Sequence, residues 1–313
     1  MDTSEDIQNK DEIKSDKTQE SEKKCTKTTS GVLVRVLKDL LYIAFLGSPM
    51  IVYKLLQLVI NKTHHGGFFC EDKSLQFPYK ESTISETAVV YQTLCVPIFT
   101  ILVLEYFYPK YKRNTTKNLD TELNTDNNDD NDNTNSSKVN VTQILYNRIV
   151  NYIFGYNACC SFMWMPKFFD GNLRPHFMDV CRPVMWDGSD CSDIKNHGRF
   201  ILDYECSNEN YFTSIYRSFP SGHSSQSFFA ATYLVLYLQR KLLNEKLRIG
   251  LQFLLLLYAY AVSISRIYDF HHHTQDVVVG CSLGVFCAMV LALVVERNFK
   301  EKEQIRKSSV KLT

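Results

Sequence analysis

Apolar and polar residues come in long blocks along this chain. Six stretches, near 40–60, 88–108, 147–166, 222–239, 249–268 and 276–296, are dominated by Leu, Ile, Val, Phe, Ala and Tyr. Each is close to the ~20 residues a helix needs to cross a ~30 Å hydrocarbon layer. Runs such as Leu251 to Val262 and Val277 to Val295 are apolar on every helical face, which suits lipid better than the one-sided core of a soluble protein. The pattern predicts an all-α, polytopic membrane protein with six transmembrane helices. Lys54, Glu105 and Arg148 all lie off the middle of their stretches, where long side chains can reach the headgroups.

The remaining segments are polar and set the organisation. Residues 1–38 are rich in Lys, Glu, Asp, Ser and Thr, with no apolar run after a basic start, and are expected to be a disordered cytosolic tail rather than a cleaved signal. Residues 39–108 hold the first two helices and an outside loop. Residues 109–142, rich in Asn, Asp and Thr, are expected to be a flexible cytosolic linker, 143–297 a four-helix core, and 298–313 a cytosolic tail. With the N-terminus inside, the inside segments hold 23 Lys or Arg and the outside segments 9. That is the bias of the positive-inside rule.

This topology divides the ten cysteines. Cys70, Cys181, Cys191 and Cys206 fall in outside loops, where disulfides persist, and allow three pairings. The other six lie in helices or the cytosolic tail and are expected to be free thiols. Of the glycosylation sequons only Asn61 falls outside, close to a helix end.

Three polar clusters lie beside helix ends, and the topology, drawn without them, puts all three on one side of the membrane. Lys167 is followed by Arg174 and Pro175 just past the third helix; Pro220, Ser221, Gly222 and His223 open the fourth; Ser265 and Arg266 end the fifth, with His272 and Asp276 at the start of the sixth. Lys167, Arg174 and Arg266 supply three positive charges, and guanidinium groups match phosphate oxygens by paired hydrogen bonds. Ser221 and Gly222, at a helix N-terminus, can add backbone N–H groups. His272 and Asp276 are four apart, on one helix face. The carboxylate can hold one ring proton and make the other nitrogen a nucleophile. His223 is then the candidate general acid for a departing alkoxide, because histidine titrates near neutral pH.

The patterns K-x6-R-P, P-S-G-H and S-R-x5-H-x3-D resemble the complete signature of the type-2 phosphatidic acid phosphatase superfamily, and the six-helix layout is similar to its lipid phosphate phosphatase branch. Gly66 to Cys70, Phe77 to Lys80 and Arg174 to Phe177 add to the likeness. The resemblance implies phosphotransfer to His272, protonation by His223, orientation by Asp276, and phosphate binding by Lys167, Arg174, Ser221, Gly222 and Arg266. It also implies no cofactor or metal and an active site facing outside. Substrates would be phosphatidate, lysophosphatidate, ceramide 1-phosphate and sphingosine 1-phosphate. Relatives commonly carry a sequon in the large outside loop, and 167–221 has none.

The same residues admit other readings. His271, His272 and His273 invite a metal site, but adjacent helical residues point about 100° apart, so the three do not converge on one ion. His271 and His273 are expected at the surface or supporting the site, and Asp170 and Asp269 as solvated loop residues. A catalytically inert lipid-phosphate-binding relative would have lost a histidine or basic residue of the set, and none is lost. A phosphatase for another monoester or a polyprenyl diphosphate is the other alternative. Expected partners are membrane lipid phosphates and the bilayer, without nucleic acid. The plasma membrane is the expected location, an internal membrane the alternative, and homo-oligomerisation is left open.

Overall fold

The computed structural model describes residues 33–45, 66–106, 134–169, 171–208 and 213–295. Helix α1 covers 33–45, within a unit of its own. The rest of the fold is built from α2 (Glu86–Tyr106), α3 (Thr134–Trp164), the short α4 (Pro166–Phe169) and α5 (Phe177–Cys181), then α6 (Gly222–Lys241), α7 (Glu245–Tyr268) and α8 (Thr274–Val290), which runs on as a π-helical turn, Leu291–Val295. Most of the expected span 40–60, with Lys54, lies outside the described residues, as do Asn61, Asp170, residues 1–32, most of the expected linker and 298–313, whereas 33–38, expected to belong to the disordered tail, lie in α1. Helix α3 begins inside the segment expected to be a linker, since extending a formed helix costs far less than starting one.

Helix α6 lies at the centre, against α2, α3, α7 and α8. Its Phe229, Tyr233 and Tyr237 meet Ile101, Tyr152 and Leu291 in the bundle core. Its serines Ser224, Ser225 and Ser227 are buried too, so the helix faces protein rather than lipid and tolerates the polar content that lowers its hydropathy. Large apolar side chains are exposed on the outer helices: Phe99 and Leu102 on α2, Phe253 and Leu257 on α7, Val278 and Phe286 on α8. Among the described residues, Glu86–Tyr106, Glu245–Tyr268 and Thr274–Leu293 are long and apolar enough to cross a membrane. Faces of this size belong in a bilayer, and they mark the chain as a membrane protein.

The tightest helix contact is between α6 and α8. A Cβ on Gly280 would lie 2.6 Å from the Ser221 carbonyl oxygen, and one on Gly284 2.3 Å from that of Ser225. Two glycines four apart put both gaps on one face of α8, which lets its backbone approach that of α6. At the other end of the bundle Glu105 and Arg148 depart from expectation. Glu105 does not reach for headgroups: it is buried, accepting from Tyr237 Oη at 2.7 Å and pairing with Lys241 Nζ at 2.8 Å, with Arg148 Nε at 3.9 Å. A partnered carboxylate can stay inside where a lone one could not.

The loops before α2 and between α4 and α6 form a second core, including Phe68, Leu75, Phe177, Tyr204 and Ile215. The chain is mostly helical, but not wholly α as expected. Strand β1 (Phe68–Phe69) pairs antiparallel with β3 (Phe200–Ile201), and β2 (Pro183–Met185) with β4 (Tyr204–Cys206). In a compact long loop, backbone groups removed from water must pair with one another. The disulfides are Cys70–Cys191 and Cys181–Cys206, one choice of the three open to the sequence. The described cysteines outside these loops, Cys95, Cys159, Cys160, Cys281 and Cys287, are free.

The helix contact yields a direct test. Gly284→Ala forces α6 and α8 apart and should cost about 1–3 kcal/mol, read as a lower melting temperature in detergent. Gly250→Ala, on α7 with nothing within 4 Å of the new methyl group, should leave that temperature unchanged or slightly raised.

Candidate active site

The contact between α6 and α8 sets two helix starts side by side. Ser221, the residue capping α6, donates its N–H to the Asp276 carbonyl at 3.0 Å. Asp276 also closes the first turn of α8, where its Oδ2 accepts from His273 N at 2.9 Å and from Ser218 Oγ at 2.6 Å. With its carboxylate fixed by these donors, Asp276 faces His272 four residues earlier. His272 Nδ1 lies 3.7 Å from Oδ2, an electrostatic contact too long for a hydrogen bond. Nδ1 is buried without a hydrogen-bond partner, which leaves Nε2 as the nitrogen for the cavity that His272 lines.

That cavity, of about 270 Å³, collects residues from five parts of the chain. Of the residues predicted for the site, it is lined by Arg174, His223, Arg266 and His272. Lys167, Ser221, Gly222 and Asp276 are not on its wall. Lys167 Nζ donates to the Arg217 carbonyl at 3.1 Å. Ser221 is wholly buried, and its N–H is spent on Asp276, so it ties the helices together rather than offering that donor to a ligand. At Gly222 a Cβ would meet Met163 only at ordinary contact distance.

Burial and mutual repulsion shape the charges. His272 is held well below the usual imidazole range, chiefly by burial and against the pull of Asp276, so its ring is neutral at pH 7 as a nucleophile requires. Lys167 is drawn down to about 7 by withdrawal from water and then by the Arg174 charge; Arg174, lowered to about 10 by burial and by Arg266, remains a cation. Cations crowded in this way are relieved by an anion. A phosphate dianion has the charge and size to do so.

The cavity also holds residues the motifs did not point to: Tyr79, Ser82, Glu86, Ser214 and His271. His271, expected at the surface or in support, is buried and bridges Arg174 Nη1, 3.1 Å from its Nδ1, to Ser82 Oγ, 3.2 Å from its Nε2. Burial lowers it to about 3, which keeps it neutral. Asp269, expected to be solvated, is fully buried, accepting from Thr83 N at 2.7 Å and Thr83 Oγ1 at 2.8 Å. His273 turns to Asp276, Nδ1 3.4 Å from Oδ2. Among the described residues no group of three His, Cys, Asp or Glu side chains is placed to hold a metal ion.

Residues 145–300 match the family model of the PAP2 superfamily. The chain is 32% identical over 281 residues to a Drosophila melanogaster protein named, provisionally, a phosphatidate phosphatase, covering 88% of this chain and 72% of that one. It is 32% identical over 243 residues to phospholipid phosphatase 1 of Mus musculus, covering 75% and 76%. Identity to phospholipid phosphatase 2 of Homo sapiens is 28% over 293 residues, covering 90% and 92%. No solved structure matches the chain.

The lowered Lys167 gives a pH dependence that can be measured on inorganic phosphate. Above pH 7 the empty site holds mostly neutral lysine, and binding the dianion restores its proton. Affinity should therefore fall by up to tenfold per pH unit between pH 8 and 9, where phosphate itself does not change charge. Lys167→Arg should flatten that slope. Calorimetry at both pH values reads it, and a slope unchanged by the substitution would assign the titration to another group.

Proposed function

Because the chain belongs to the PAP2 superfamily, in its lipid phosphate phosphatase branch, we propose that it is a metal-independent phosphatidate phosphatase acting through a phosphohistidine. The observation behind this reading is that Arg174, Arg266, His223 and His272, dispersed over a hundred residues of sequence, line one polar cavity. In the reaction His272 Nε2 attacks phosphorus in line with the ester oxygen, and the P–O bond breaks as the P–N bond forms. His223, whose Nε2–H is bound to the Ile84 carbonyl, takes up a second proton on Nδ1 as the dianion binds and hands that proton to the departing alkoxide. Arg174 and Arg266 hold the equatorial oxygens, while Lys167 adds positive charge from behind. Water, deprotonated by the now neutral His223, then attacks the phosphohistidine, releasing phosphate and restoring both rings.

Substrates on this reading are lipid monoesters: phosphatidate, lysophosphatidate and sphingoid phosphates. The five long helices and the stretch 40–60 are taken as six spans. Glu86 at the start of α2, Arg174 in the loop that follows α3 and α4, His223 at the start of α6, Arg266 near the end of α7 and His272 just before α8 all line the cavity, as alternating spans require. The disulfides Cys70–Cys191 and Cys181–Cys206 lie in the loops around it, and disulfides persist in oxidising compartments. The disulfides support an extracellular or luminal site, and the plasma membrane is the location proposed.

The test uses detergent-solubilised protein with a panel of lipid phosphates in excess EDTA. Turnover should persist in chelator, and acid-labile, base-stable phosphoprotein should be trapped. His272→Ala should lose both. His223→Ala should form phosphoprotein from p-nitrophenyl phosphate, whose leaving group needs no proton, but hydrolyse it slowly. Activity lost in EDTA and restored by Mg²⁺, or label persisting in His272→Ala, would overturn the reading.

A further inference from the structure

The segment from Lys80 to Ser85, which leads into α2, lies outside the matched residues 145–300, yet it occupies donors of the cavity. The Ile84 carbonyl lies 3.2 Å from His223 Nε2 and 3.2 Å from Arg266 Nη1; Arg266 Nη2 donates to Ser82 Oγ at 3.1 Å. A carbonyl only accepts, so His223 carries hydrogen on Nε2 here and presents Nδ1 as its other nitrogen. One backbone oxygen therefore orients both the candidate acid and a phosphate-binding arginine.

The carbonyl is held in place by a clamp one residue away. Asp269, 0% exposed, receives both the N–H and the hydroxyl of Thr83, and Lys80 Nζ lies 3.3 Å from its Oδ1. Asp269 Oδ2 is 4.0 Å from Arg266 Nη1, so the same carboxylate also faces the arginine. Thr83 is an exposed residue, and its two bonds to Asp269 join positions 186 apart in sequence.

Resting on the phosphatase reading above, we infer that Asp269 is a positioning residue: it clamps Thr83 so that the Ile84 carbonyl aims His223 at the leaving oxygen and holds Arg266 over the phosphate. It touches no reacting atom. Its effect passes through the strap, and the first half of the chain thereby completes the site.

The experiment is single-turnover phosphotransfer from phosphatidate and from p-nitrophenyl phosphate, with wild type, Asp269→Asn, Thr83→Val and the double variant. A misaimed acid matters most for a basic leaving group, so each single variant should lower the ratio of phosphatidate rate to aryl phosphate rate by roughly tenfold. Both substitutions cut one clamp, so the double variant should be no worse than the more affected single one. If buried Asp269→Asn does not yield folded protein, Thr83→Val still reads the ratio, because Thr83 is an exposed residue. An unchanged ratio, equal slowing on both substrates, or additive losses would overturn the inference while wild-type activity stands. A wild type inactive on both substrates would instead sink the phosphatase reading on which the inference rests.

Discussion

The backbone contact between α6 and α8 is the constraint on which the site depends. Neither histidine can be placed by its own helix alone: His223 sits on the first turn of α6 and His272 just before α8. Gly280 and Gly284 let the helices meet with carbonyls where a Cβ would stand, and the Ser221 N–H on the Asp276 carbonyl locks the register at the cavity end. Sliding α8 by one turn would move His272 by about 5.4 Å relative to His223 and break up the cavity wall they share. Small residues therefore matter to the chemistry as much as the charged ones do.

The charges gathered at this junction work against the stability of the empty protein. Arg174 and Arg266 repel each other in a cavity that takes them out of water, and Lys167 gives up part of its proton occupancy. Two buried carboxylates offset this, Asp276 below His272 and Asp269 beside Arg266. Neutral histidines do the rest: His271 bridges Arg174 to Ser82 without adding a charge. What remains unneutralised is the affinity for an anion. Such strain persists when the surrounding packing fixes it, here a bundle core on one side and a disulfide-bonded loop core on the other.

The parts legible in the sequence were those encoded over short spans. Helix positions followed from apolar runs, and the nearness of His272 to Asp276 from a spacing of four. Contacts between distant segments were not legible. Nothing local distinguishes Asp269 from a solvated loop aspartate, because its burial is created by Thr83 arriving from 186 residues away. The disulfide pairing and the short strands depend on the same loop-to-loop docking. Ser221 misled for a related reason: a helix N-terminus offers free N–H groups in general, but here a neighbouring helix start takes the one at the cap. Glu105 was misread because a residue near a helix end can find Lys241 and Arg148 as readily as headgroups.

The family match begins at 145, but the site does not. Tyr79, Ser82 and Glu86 lie on the cavity wall, and Phe77 stacks on Phe270 with ring centroids 4.7 Å apart, joining the approach to α2 with the turn that bears the three histidines. Cys70–Cys191 fixes the same approach covalently to the long loop. An approach to α2 that served only as a linker would need none of these bonds. Their concentration within fifteen or so residues, all directed at one end of the bundle, implies that the four-helix core alone would present its arginines and histidines without the wall that orients them. The core supplies the arginines and histidines of the cavity, and the segment before α2 supplies part of their geometry.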